Sequence, residues 1–238
     1  MMRRSLLVCA VLAVLSAATV HAATAEGFNQ DLNVVWRTVE GQSLRADFYW
    51  PATGCPCPGI VEMHGGGFVT GTRLWNTDEA TRLAQNGFYV MNTDYRLTGD
   101  YQPALDDAIA AVGYLQHRPG IDRTHIGAHG SSAGAVLTTM LCVLGTGVQV
   151  DAGVAWSGGV DGALVTDDSM PLALVTSQDD PTVDPYYSFE DYQAYQTAGR
   201  PTDLMVRPGD GHGLDFKDDP AVWGETINWL TKYLMPAA

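Results

Sequence analysis

The residues of this chain that could do covalent chemistry are a serine between glycines, a late histidine between glycines, and several aspartates lying between those two in sequence. The serine lies in His129-Gly130-Ser131-Ser132-Ala133-Gly134. The run Thr124 to Ala128 before it reads as a short strand; Ala133 to Leu144 after it reads as a buried helix stopped by Gly145. Strand, sharp turn with serine, helix is the setting in which Gly-x-Ser-x-Gly exposes a hydroxyl on a strained backbone. Residues two before and two after that serine pack on each other, so both must be small. Ser132 has Gly130 and Gly134 there, whereas Ser131 has His129 and Ala133. Ser132 is therefore the candidate nucleophile. The plainer alternative is a Gly/Ser-rich loop in which Ser132 only caps the helix.

A serine hydroxyl is a poor nucleophile without a neighbouring base, and the base needs an orienting acid. In elbow proteins the acid and then the histidine follow the serine along the chain. His212, in Gly211-His212-Gly213, is the one histidine after Ser132. His117 and His125 flank a helix–strand connection at the wrong end of the sheet, His129 lies in the elbow's own strand, and His64 sits in a glycine loop. The acid should follow the strand Leu172 to Thr176, where Asp179, Asp180 and Asp184 compete. Asp180 is favoured because the turn Pro181-Thr182-Val183 would hold it rigidly, with Asp184 next. An oxyanion needs backbone N–H donors. Ala133, at a helix start, offers one, and Gly66 and Gly67 of His64-Gly65-Gly66-Gly67-Phe68 offer others. Three glycines after a strand let the backbone come close to a bound group. A nucleotide-binding P-loop is excluded by the lack of a Gly-Lys-Ser/Thr ending.

The elements that must position these residues alternate. Strands are expected at Val34–Val39, Leu44–Trp50, Gly59–Met63, Phe88–Asn92, Ala152–Trp156, Leu172–Thr176 and Asp203–Val206, besides the elbow strand. Helices are expected at Asp78–Asn86, from Pro103 through Leu115, after the elbow, at Ser188–Thr197 and at Val222–Leu234. Leu44, Ala46, Phe48 and Trp50 alternate with Arg45, Asp47 and Tyr49, the pattern of a half-buried antiparallel strand. Alternation of strands and helices implies an α/β fold, a mostly parallel sheet with helices on both faces. Ligands of such sheets gather at the carboxyl ends of the strands, where the three loops above fall.

The length, 238 residues, suits one catalytic domain over residues 23–238. Residues 1–22 read as an export signal: Arg3 and Arg4, an apolar stretch Leu6–Leu15, and Val20-His21-Ala22 before a cleavage that leaves Ala23 first. A secreted or periplasmic location is expected, without membrane insertion after signal removal. The net charge of −14 becomes −16 when the two arginines of that signal leave. Such acidity excludes nucleic acid and anionic membrane as partners and favours neutral or cationic small molecules or neutral polymers. Cys55-Pro56-Cys57 is too close for an ordinary unstrained bridge, and no second ligand pair suggests a metal. Cys142, in the buried helix, should behave as a small hydrophobe. The odd count leaves at least one thiol free or paired between chains.

Together these motifs resemble those of α/β-hydrolase superfamily serine esterases, in particular the HGGG-bearing, hormone-sensitive-lipase-like branch and related secreted bacterial esterases. The likeness rests on His64-Gly65-Gly66-Gly67-Phe68, Asp94-Tyr95-Arg96-Leu97, Pro103-Ala104 with Asp107, Gly130-Ser131-Ser132-Ala133-Gly134, Asp180-Pro181 and Gly211-His212-Gly213. It implies a triad of Ser132, Asp180 and His212, oxyanion donors at Gly66, Gly67 and Ala133, a structural role for His64, and no cofactor or metal. The chain departs from that branch in two ways. Where that branch carries a helical N-terminal cap and a larger insertion before the acid, the expected mature N-terminus here runs almost directly into strands and Ser157 to Pro171 is short; and Ser177-Gln178 replaces the usual glycine of the acid loop. The expected activity is hydrolysis of carboxylic esters with short acyl groups through an acyl-enzyme, on a small-molecule ester or an acylated plant polysaccharide or its fragments. Phe68 would supply a small acyl wall. A peptidase or amide hydrolase would use the same residues, and an inactive binding module would lack one of them.

Overall fold

The computed structural model describes residues 27–145 and 150–235. The export signal and Ala23 lie outside the described residues. Two long strands open the described chain, β1 (Phe28–Val39) and β2 (Gln42–Pro51), joined by a turn in which Glu40 and Gly41 both take positive φ. From there strands and helices alternate: β3 (Cys57–Met63), α1 (Thr77–Gln85), β4 (Tyr89–Thr93), α2 (Tyr101–Gln116), β5 (Ile121–Ser131), α3 (Ala133–Val143), β6 (Ala152–Trp156), β7 (Leu172–Ser177), α4 (Tyr186–Thr197), β8 (Thr202–Arg207) and α5 (Pro220–Leu234).

The eight strands form one sheet in the order β1-β2-β4-β3-β5-β6-β7-β8. β1 pairs antiparallel with β2, and β2 antiparallel with β4; every later pairing is parallel. Two apolar layers sandwich it. On one face, Leu105, Ala108, Val112 and Leu115 of α2 pack with Leu137 and Leu141 of α3 and Tyr195 of α4. On the other, Ala80 and Leu83 of α1 pack with Val222, Trp229 and Leu230 of α5. The helix starts follow their caps. Asp100 accepts from the Gln102 N–H at the head of α2, and Asp219 accepts from the N–H groups of Ala221 and Val222 at the head of α5, where Pro220 has no N–H and so needs no acceptor.

Two expectations are corrected. β2 is antiparallel as its alternation suggests, but it is buried on both faces: Asp47 and Tyr49 are as enclosed as Phe48. The reason is that α1 covers the second face, where Tyr49 packs in one layer with Ala80 and Leu83, and that Arg73 is brought over Asp47 to form an ion pair at 3.0 Å. Cys55 and Cys57 do form a disulfide. The loop between β2 and β3 folds back so that their Cα atoms lie 4.4 Å apart, at the short limit a bridge spans. Cys142 remains a free buried thiol, with its pKa pushed up by burial.

Candidate active site

The elbow is formed by β5, Ser132 and α3. Ser132 takes φ 55° and ψ −119°, a conformation strained for a side chain with a Cβ. Its N–H donates to the Trp156 carbonyl at 2.8 Å, which fixes the turn against β6. The small-residue requirement is visible directly: a Cβ on Gly130 would lie 2.5 Å from the Gly134 carbonyl oxygen, and one on Gly134 would collide with the Met63 carbonyl. Both serines border a cavity of about 560 Å³, but Ser131 is buried whereas Ser132 is partly exposed in it.

His212 faces the same cavity. Its Nδ1–H donates to Asp180 Oδ2 at 2.8 Å, with Oδ1 at 3.0 Å. In the neutral ring this leaves the lone pair on Nε2, a tautomer assigned from the network. Asp180 is buried, and its Oδ1 also accepts from the N–H groups of Thr182 and Val183 at 2.8 and 3.0 Å. Burial works to raise its pKa, but the His212 bond and these two N–H donors outweigh that and hold it below the ordinary carboxylate value. The competing acids sit elsewhere. Asp179 is exposed, and Asp184 accepts from the Tyr186 N–H at 2.9 Å at the start of α4. His117 closes α2, and His125 pairs with Asp122 near the start of β5, both away from the cavity.

The glycine loop passes over the serine. A Cβ on Gly65 would come within 3.1 Å of the Ser132 Cβ. Gly66 has φ 119°, and a Cβ there would collide with the Thr70 carbonyl, so only glycine fits. Among the described residues the N–H groups of Gly66 and Gly67 find no protein acceptor, while the Gly66 carbonyl takes the N–H groups of Val69 and Thr70. Ala133 is the first residue of α3, where the helix leaves its N–H unpaired. His64 is buried and bonds the Gly65 carbonyl through Nδ1 at 2.6 Å, stacked on Tyr95 at 4.3 Å. Burial lowers its pKa. It shapes the loop and is turned away from the cavity.

The structure thus brings Ser132, His212, Gly66, Gly67, Ala133 and Phe68 to one cavity, with Asp180 behind His212. Sequence reading missed the rest of the wall: Trp75, Val136, Val183 and Leu214. It also missed two serines that hold the His212 loop. Ser177 Oγ donates to the Gly211 carbonyl, and Ser157 Oγ accepts from the Gly213 N–H at 2.9 Å. The Ser177-Gln178 departure from the usual glycine is the one visible signal for Ser177; Ser157 has none. Among the described residues no cluster of three metal-ligating side chains occurs, and no helix is long and apolar enough to cross a membrane.

The BD-FAE family profile matches residues 46–164, half of the chain, from β2 through the elbow to the turn after β6. The chain belongs to the BD-FAE family. This is an α/β-hydrolase esterase family. No curated protein sequence matches the chain. Similar solved structures include a truncated carbohydrate esterase from gut microbiota, with TM-score 0.74 and 19% identity over 88% of this chain and 98% of that one. Esterase 2 of the planctomycete Thermogutta terrifontis, phosphonylated by cyclosarin, gives 0.73 and 20% over 85% and 92%. The same esterase with butyrate bound gives 0.73 and 19% over 87% and 96%. At these identities the likenesses show the shared fold, which the BD-FAE match joins to an esterase family.

Proposed function

We propose that this protein is an exported serine carboxylesterase that hydrolyses esters of short acyl groups through an acyl-enzyme. One observation carries the reading: an accessible serine on a strained elbow shares a cavity with a histidine whose Nδ1–H is committed to a buried aspartate. Ser132 Oγ attacks the ester carbonyl carbon while His212 Nε2 takes its proton. The carbonyl oxygen gains the charge and is met by the N–H groups of Gly66, Gly67 and Ala133. Such a donor is worth about 10²–10³-fold in turnover. Collapse of this intermediate breaks the bond to the alcohol oxygen, which leaves with the proton from His212. Water, activated by the same imidazole, attacks the acyl-serine, and Ser132 leaves with the proton. Asp180 stabilises the imidazolium in both halves without being protonated.

Substrate size follows from the walls. The cavity is open, and the connection after Trp156 holds only a single 3₁₀ turn, Gly162–Leu164, so among the described residues nothing roofs a long acyl trench. The related esterase with butyrate bound and the gut carbohydrate esterase are in keeping with a short acyl group on a carbohydrate alcohol. Export rests on the composition of residues 1–22.

Turnover of p-nitrophenyl acetate against a peptide anilide tests the reading, with Ser132→Ala and Ser131→Ala beside the parent enzyme. The ester should be turned over and the anilide not. Ser132→Ala should lose roughly a million-fold, as members of a triad act together. Substantial esterase activity in purified Ser132→Ala would overturn it.

A further inference from the structure

The sheet face covered by α1 and α5 carries one polar row that runs across four strands. Asp47 on β2, Asn92 on β4, Glu62 on β3 and His129 on β5 are register partners in turn, and all four are buried. Glu62 Oε2 meets His129 Nδ1 at 2.6 Å. A buried polar row of this kind is a poor source of stability, since apolar residues of similar size often do as well or better. What apolar residues cannot supply is direction.

The row reaches one segment, the 3₁₀ turn Arg73–Asn76. Asn76 Nδ2 donates to Glu62 Oε1 at 2.6 Å. Asn92 Nδ2 donates to the Arg73 carbonyl at 2.7 Å. The Arg73 guanidinium pairs with Asp47 at 3.0 Å and with Asp94 at 2.9 Å. Four residues of 3₁₀ helix have little stability of their own, yet both ends of this turn are held to the sheet. Between those ends stands Trp75, about half exposed, lining the cavity that holds Ser132 and His212 and set edge-on to His64 at 6.2 Å.

We propose that the row fixes this turn so that Trp75 is the specificity-determining wall of the substrate cavity, with Glu62, Asn76 and Asn92 as its positioning residues. The proposal rests on the ester-hydrolysis reading of the Ser132 cavity. The indole face limits bulk on one side of the bound ester and contacts its apolar part. It can do so only while the turn keeps its angle. Leu74, beside it, is exposed and does not line the cavity.

The experiment measures kcat/KM over two series, nitrophenyl esters of lengthening acyl chain and acetates of increasingly bulky alcohols. Trp75→Ala should change selectivity across one series by about tenfold, what one to two methylenes are worth. Asn76→Ala should shift it in the same direction, and the double variant should match Trp75→Ala alone, because both changes act through one wall. Glu62→Gln, which keeps an acceptor for Asn76, should stay near the parent, while Glu62→Leu should follow Asn76→Ala. If Asn76→Ala does not fold, Asn92→Ala cuts the other tether and carries the same expectation. Unchanged selectivity in Trp75→Ala overturns the proposal, as does an Asn76 effect that simply adds to it or appears only in the melting temperature. Ser132→Ala reports separately: if it stays active, the reading of the site has failed; if it is dead while Trp75→Ala is silent, only this inference has.

Discussion

The hydroxyl of Ser177, at the end of β7, donates to the carbonyl of Gly211, the residue before His212. On the other side, the Gly213 N–H donates to Ser157 Oγ, just past β6. The His212 backbone is thus held from both directions by hydroxyls at the carboxyl ends of two neighbouring strands. A histidine between two glycines would otherwise lose much of its orientation. Ser177→Ala removes one tether and leaves the Gly211 carbonyl without that donor. Turnover of p-nitrophenyl acetate should fall about tenfold with KM within about twofold, since small misplacements of a base act on the reacting step. Steady-state kinetics check this, and an unchanged kcat would show the tether to be idle.

Asp180 and Asp184 make different contacts, so their amides should behave differently. Asp180→Asn should lower turnover by about four orders of magnitude, because the amide favours the wrong imidazole tautomer. Asp184→Asn keeps an acceptor for the Tyr186 N–H at the start of α4 and should stay within about twofold of the parent. Parallel kinetics on the two purified variants decide between them. A crippled Asp184→Asn enzyme would show that the loop rearranges when substrate binds.

Motifs with strong local geometry were legible in the sequence. The elbow could be read because Gly130 and Gly134 face each other across Ser132, and that packing has no other residue solution. The order of strands and helices could be read because caps and periodicity are local. Contacts set by distant partners could not. The second buried face of β2 depends on Arg73, 26 positions beyond Asp47. The Cys55–Cys57 bridge depends on how the loop between two strands closes. Trp75 reads as an ordinary aromatic in a polar stretch until Asn76 and Arg73 are seen anchored in the sheet. The 3₁₀ turn Gly213–Asp218 is also absent from the sequence reading. It depends on Asp215, which accepts from the His212 N–H at 2.9 Å.

Two buried acids outside the proposed catalytic set should make stability depend on pH. Burial pushes Glu79 on α1 up to about 7, with the charge of Glu62 adding to it. Burial pushes Asp191 on α4 up to about 7 as well, against the pull of its bond from the Val160 N–H. A folded-state pKa above the unfolded value means that the folded chain holds its proton where the unfolded chain has lost it. Stability is then full below about pH 4 and falls as pH rises toward 7. Glu79→Gln and Asp191→Asn remove that loss. Each should gain on the parent between pH 4.5 and pH 8, by up to about 3 kcal/mol. Thermal and urea melts at both pH values provide the check, and a gap between variant and parent that does not grow with pH refutes it.

The length of the acyl chain tests the shape of the cavity. Its apolar wall consists of Phe68, Trp75, Val136, Val183 and Leu214. Phe68 is held in place by a positive φ and by Tyr95, 6.4 Å away. A long-chain lipase needs a deeper trench and a mobile roof, and the roof must come from an inserted segment. The segment after β6 cannot supply it: Gly162 packs against Glu190 and Ala194 of α4, and Val160 is tied to Asp191. Each methylene buried against the wall adds about 0.8 kcal/mol, or about fourfold in kcat/KM, and a methylene beyond it adds nothing. Specificity constants across C2 to C16 nitrophenyl esters should therefore peak between acetyl and butyryl and fall by octanoyl, with no jump when the substrate forms an emulsion. A maximum at C10 or longer, or activation at the emulsion surface, would mean that the α4 side of the cavity opens into a trench on binding.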